Sequence, residues 1–146
     1  MSDTLFVLNG PNLNLLGTRE PDIYGATTLG EIEANCRESA EGKGFSVDFR
    51  QSNHEGDLVD WIQEAREAAA GIIINPGAYS HTSVALHDAI VGVGIPTVEI
   101  HISNIFAREP FRRHSYISPV VSGVISGFGP AGYLLAVDAI SRIIRS

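Results

Sequence analysis

At 146 residues, 44% of them hydrophobic, the chain has the length for one domain with its own core, and its single cysteine offers neither a disulfide framework nor a thiolate zinc cage. A net charge of -7 argues against a nucleic-acid partner, which draws on a clustered basic face. No charged-then-apolar leader opens the sequence and no apolar run approaches the ~20 residues of a membrane span, so a soluble, cytoplasmic protein with no membrane partner is expected.

Short β-branched runs alternate with helical patterns, as in a parallel α/β sheet covered by helices. The first strand spans Leu5 to Asn9, and a long polar stretch, residues 10–27, follows it. Thr28-Leu-Gly-Glu31 fits a capping box opening a helix whose Leu29, Ile32 and Cys36 share one face, before Gly42 and Gly44 end it. Cys36 in that pattern is a core residue. Phe45 to Arg50 alternates apolar and polar residues and reads as an edge strand. Leu58, Ile62, Ala65 and Ala69 mark a second helix, and Gly71 to Asn75 a buried strand. Thr82 or Ser83 caps a third helix through Leu86 and Ile90. Pro96 to Ile100 and Val120 to Ser126 read as continuous buried strands flanking a second long stretch, residues 102–119. Pro130 through Leu134, Val137, Ile140 and Ile144 forms the last helix. With no repeat or linker, residues 1–146 form one domain. Both long stretches follow a strand's carboxyl end, where open α/β sheets bind ligands.

The first stretch sets Asn12, Asn14, Arg19, Glu20 and Tyr24 among turn residues, and a turn by itself needs no arginine five residues before a tyrosine. A tyrosine with an ordinary pKa near 10 is ionised in about one molecule in a thousand at pH 7, a deficit of roughly 4 kcal/mol. One arginine about 4 Å away contributes a similar ~4 kcal/mol at an effective dielectric of 20, and desolvation opposes it. More than one arginine is therefore expected, and Arg19 and Arg108 are the candidates. Nine arginines accompany one lysine, Lys43, and Arg19, Arg108, Arg112 and Arg113 lie in the polar stretches, which suits a small anionic substrate.

Strand alternation puts Glu99 and His101 on one side of the backbone, so the carboxylate can hold or polarise the imidazole. The segment from Asn75 through His81 runs from a strand end into a helix start, and free amides there and after His101 favour a carboxylate. Glu20, Asp22 and Glu99 offer a paired-carboxylate alternative, although Glu20 and Asp22 fit ordinary solvation. His81 and His87 are six apart and share no helix face, so no metal site is expected.

Four motifs occur in order along the chain: Asn9-Gly-Pro-Asn12 through Arg19 and Tyr24, Asn75-Pro-Gly-Ala-Tyr-Ser-His81, Glu99-Ile-His101-Ile-Ser103, and Arg108-Glu-Pro-Phe-Arg112. Together they closely resemble type II 3-dehydroquinate dehydratase. The resemblance implies a flavodoxin-like three-layer sandwich with strand order 2-1-3-4-5. It implies reversible dehydration of 3-dehydroquinate to 3-dehydroshikimate without a cofactor, in aromatic biosynthesis or quinate breakdown. By the same resemblance Tyr24 is the base that generates an enolate, His101 the acid for the departing hydroxyl, and Arg19 part of a closing loop. Asn75, Ile102 and Ser103 would hold the substrate carboxylate, the last two through backbone amides. His81 and Arg112 would bind ring hydroxyls, and Asn12 would position a water that stabilises the enolate. Asp88 would reach a neighbouring subunit's site, since the family assembles as trimers grouped into dodecamers.

Two other readings compete. A flavin-binding module wants a Ser/Thr/Gly-rich phosphate loop after the first strand, where this chain has Asn-Gly-Pro-Asn, and a phosphoacceptor wants aspartate where Asn75 stands. Imine chemistry would rest on Lys43, which sits between two glycines at a helix end, far from every polar motif.

Overall fold

The computed structural model describes residues 3–18 and 20–146, with backbone only at Pro21 and Tyr24. The chain runs β1 (Thr4–Asn9), a one-turn helix α1 (Pro21–Tyr24), α2 (Leu29–Glu41), β2 (Ser46–Gln51) and α3 (Glu55–Ala68). It continues with β3 (Gly71–Asn75), α4 (Val84–Val93), β4 (Thr97–His101), β5 (Gly123–Ser126) and α5 (Ala131–Arg145). All five strands are parallel, in the order β2-β1-β3-β4-β5, as the resemblance implies.

Strand alternation builds the two cores. Leu5 and Val7 of β1, Ile73 of β3 and Val98 and Ile100 of β4 point to one face, against Ile32, Cys36 and Ala40 of α2 and Tyr133, Val137 and Ile140 of α5. Phe6, Leu8, Ile72 and Ile74 point to the other, against Leu58 and Ile62 of α3 and Leu86 and Ile90 of α4. Each fully buried Leu or Ile contributes about 1.5–3 kcal/mol, and the three-layer arrangement is the one that covers both faces of a parallel sheet. Burial pushes the Cys36 thiol up to about 12, as befits an inert core residue.

The helix signals operate as expected at two starts. The Thr28 hydroxyl accepts from the Glu31 amide, and Ser83, rather than Thr82, caps α4 by accepting from Leu86. Two expectations need correction. The stretch from Val120 to Ser126 is no continuous buried strand: residues 118–120 form a 3-10 turn with Pro119 in its first turn, and β5 is a short, partly exposed edge strand. In α5, Leu134 faces out and Tyr133 is buried, so the apolar stripe runs 133, 136, 137 and 140. The long stretch of residues 102–119 carries short 3-10 turns at Ile105–Ala107 and Pro110–Arg112 and enters a third at Ser118–Val120.

Candidate active site

A cavity of about 200 Å³ opens at the carboxyl edge of the sheet, where three loops meet. The loop after β1 contributes Asn12, the loop after β3 contributes Asn75 and His81, and the loop after β4 contributes His101, Ile102, Ser103, Arg108 and Arg112. The loops after β1 and β3 can come this close because Gly10 has no side chain: a Cβ there would lie 2.4 Å from the Pro76 carbonyl oxygen. The Gly10 amide instead donates to the Asn75 carbonyl at 2.8 Å.

On β4, Glu99 and His101 occupy the face that is apolar on the neighbouring strand, with Glu99 in register with Ile74. His101 Nε2 donates to Glu99 Oε2 at 2.5 Å. Glu99 is fully buried and accepts two further bonds, from Ser115 Oγ at 2.9 Å and Ser118 Oγ at 2.5 Å. Burial by itself would raise the Glu99 carboxyl, but the bond and charge of His101 and the two serine hydroxyls outweigh it and hold the group below the ordinary carboxylate range. Ser115 is itself held, since its oxygen accepts from the amides of Ile117 and Ser118. Neither serine stands out in the sequence. The available signal is that a buried carboxylate requires donors, and the following loop places two hydroxyls three residues apart.

His81 Nδ1 donates to the His114 carbonyl at 2.7 Å, which leaves Nε2 as an acceptor. Burial keeps this imidazole below its ordinary pKa, with repulsion from His101 and Arg112 in the same direction, against the bond to His114. Arg112 stacks on Phe111, 5.0 Å from the ring centroid, and its Nε donates to Glu109. Arg108 Nη1 donates to Ser103 Oγ at 3.2 Å. Among the described residues, the amides of Ile102 and Ser103 donate to no group of the chain. Two adjacent uncommitted N–H groups with an arginine alongside make a place for an anion.

Asn12 has left-handed backbone angles (φ 68), which asparagine tolerates better than most residues. Its amide donates to Asn53 Oδ1 at 3.0 Å, and Gln51 Nε2 donates to the Gly10 carbonyl at 3.1 Å. Gln51, the last residue of β2, and Asn53 just beyond it thus brace the loop after β1, a pairing that only the parallel register reveals. Asp88 does not join this cavity: it is exposed on α4, bonded to His87, beside a separate cleft that Arg66 also lines. Arg19 and the side chain of Tyr24 lie outside the described residues. The described residues contain no cluster of three or more His, Cys, Asp or Glu side chains and no helix long and apolar enough to cross a membrane.

Residues 3–141 match the family model described as Dehydroquinase class II. The chain is 66% identical over 141 residues to the 3-dehydroquinate dehydratase of Azorhizobium caulinodans, covering 97% of this chain and 95% of that one. It is 61% identical to 3-dehydroquinate dehydratase 1 of Agrobacterium fabrum, covering 98% and 99%. The crystal structure of the type II dehydroquinase from Propionibacterium acnes superposes with a TM-score of 0.91 at 44% identity, over 97% of this chain and 98% of that one. That from Butyrivibrio crossotus gives 0.93 at 45%, over 95% and 97%.

Proposed function

The chain belongs to the class II dehydroquinases, and from that membership we infer that it dehydrates 3-dehydroquinate to 3-dehydroshikimate in the shikimate pathway. The observation that carries the reading at the level of chemistry is the buried Glu99–His101 pair opening onto a cavity with two uncommitted amides.

The elimination proceeds in two steps. Tyr24, as phenolate, takes the proton beside the ketone, and the C–H electrons pass into an enolate. The enolate then collapses to a C=C bond as the C–O bond breaks, and His101 supplies the proton that turns the departing hydroxide into water. Nε2 of His101 is held by Glu99, so Nδ1 is the nitrogen that faces this task. An ionised Glu99 gives the imidazolium its counter-charge, which is why a depressed Glu99 pKa supports the assignment. Asn75 and the amides of Ile102 and Ser103 hold the substrate carboxylate, with the Ser103 hydroxyl beside them. His81, neutral and presenting Nε2 as an acceptor, takes a ring hydroxyl, and Arg112 donates to another. Asn12 positions a water on the enolate oxygen. Arg19 closes with Tyr24 over the site and favours the phenolate.

The proposed assembly is a dodecamer built from trimers in the cytoplasm, in which Asp88, outside its own cavity, completes the site of a neighbour. The role is biosynthetic or, in quinate breakdown, catabolic. The deciding experiment mixes purified protein with 3-dehydroquinate and follows the ultraviolet absorbance of the conjugated product. No rise in absorbance refutes the reading. Lys43→Ala retains turnover, and borohydride added with substrate leaves the enzyme active, because no imine forms.

A further inference from the structure

The last residues of β1 and β3, Asn9 and Asn75, are partners in the parallel register. Both extend the face on which Leu5, Val7 and Ile73 pack, so two asparagine side chains continue a row that is otherwise apolar. Tyr133 of α5, fully buried, lies between them. Asn75 Nδ2 donates to Tyr133 Oη at 2.9 Å, Tyr133 Oη donates to Asn9 Oδ1 at 2.7 Å, and Asn9 Nδ2 donates to the Arg50 carbonyl at 3.0 Å. Helix α5 approaches the sheet closely here because the preceding residue is Gly132, where a Cβ would stand 2.9 Å from Ile100 Cδ1.

The directions in this chain of bonds are fixed. A phenol has one proton, and it goes to Asn9 Oδ1, which can only accept. Toward Asn75, Tyr133 can therefore only accept. Asn75 Oδ1 meanwhile accepts the Gly77 amide at 3.2 Å. Rotating the Asn75 amide by half a turn would set its oxygen against a phenol oxygen with no proton left and its NH2 against the Gly77 N–H. Both bonds would be lost. Burial raises the phenol's pKa above its ordinary value, so the proton stays in place. One Nδ2–H of Asn75 is then left for the cavity that Asn75 lines. A phenylalanine would fill the same volume, so what the hydroxyl adds is this orientation.

We propose that Tyr133, which does not line the cavity, is a positioning residue for substrate binding: its hydroxyl locks the Asn75 amide with one N–H turned toward the substrate carboxylate. The inference rests on the assignment of Asn75 to that carboxylate.

Tyr133→Phe removes only the hydroxyl. The KM for 3-dehydroquinate should rise by roughly 5- to 30-fold, the worth of one oriented hydrogen bond, with kcat changed by less than about threefold. A double-mutant cycle separates positioning from a general structural effect: in an Asn75→Ala background, Tyr133→Phe should change KM by less than about twofold. The same fold-change in both backgrounds, or no rise in KM in the first, overturns the proposal. A second readout works in the parent and is independent of turnover. With asparagine side chains labelled with nitrogen-15, one Asn75 Nδ2 proton should exchange with water roughly tenfold more slowly than the other. Equal, fast exchange overturns the proposal even if Tyr133→Phe fails to fold. A parent inactive on 3-dehydroquinate would instead refute the functional reading, and slow exchange of that one proton would still support the lock.

Discussion

Ser118→Ala tests whether Glu99 is held as an ion. The substitution deletes the hydroxyl that donates to Glu99 Oε1 at 2.5 Å and leaves His101 and Ser115 on Oε2. A hydrogen bond to a charged group contributes about 1.5–3 kcal/mol and one between neutral groups about 0.5–1.5 kcal/mol, so the loss should be about 1.5–3 kcal/mol at neutral pH and about half that once Glu99 is protonated. The sign follows from the direction of the shift. The folded-state pKa of Glu99 lies below its ordinary value, so its ionisation contributes stability that is fully present above the unfolded value of about 4.3 and is lost as pH falls through the folded value. Losing Ser118 raises the folded pKa toward the ordinary value and shrinks that contribution. The difference between parent and variant should therefore be largest above about pH 5 and decline below about pH 4. Urea denaturation of both proteins at fixed concentration, from about pH 3 to about pH 7, measures it. A difference that is flat with pH, or that grows toward acid, would show that Ser118 does not act on an ionised Glu99.

His101→Ala should lower kcat by about 10²–10⁴-fold while a substrate analogue still binds, and steady-state kinetics with calorimetry would show the split; a kcat within a few-fold of the parent would demote His101 to a binding role. Tyr24→Phe removes the proposed base and should cut turnover by about 10²-fold or more at every accessible pH. Arg19→Ala should instead move the basic-side rise in kcat to higher pH with partial recovery there, and a uniform drop in the pH profile at saturating substrate would assign the tyrosine's ionisation to Arg108.

The architecture was legible because central parallel strands are continuous apolar runs: Gly71–Asn75 has the same bounds in the sequence reading and in the structure. Periodicity separated less well at the edges. Val120 and Val121 look like strand residues, yet Pro119 begins a turn there and leaves β5 only four residues long. In α5, Tyr133 and Leu134 are both apolar enough for the core stripe, and only packing against Ile100 and the two asparagines decides between them. Within the site, the Glu99–His101 contact follows from two-residue alternation and could be read directly. Ser115, Ser118, Tyr133 and Asn53 could not, because each reaches its partner across 16 to 124 residues or across the β1–β2 register, and nothing local in their sequence marks a partner.

The polar residues at the sheet's edge divide between its two faces, and that division has a consequence for catalysis. Asn9 and Asn75 continue the face covered by α2 and α5, and Asn75 is braced there by Tyr133. Glu99 and His101 continue the face covered by α3 and α4, and Glu99 is braced there by the serines of the loop before β5. On the proposed assignment, a substrate held by its carboxylate at Asn75, with its departing hydroxyl protonated by His101, would straddle the edge of the sheet, each end governed by a different layer of the fold. The two braces share no hydrogen-bond partner. Tyr133→Phe should act on KM and Ser118→Ala on the step that His101 serves, and in the double variant the two losses in kcat/KM should add to within about 0.3–0.5 kcal/mol. A coupling energy well above that, measured by the four-member kinetic cycle, would mean that the faces communicate through the strands, and that the carboxylate and acid subsites form one cooperative unit.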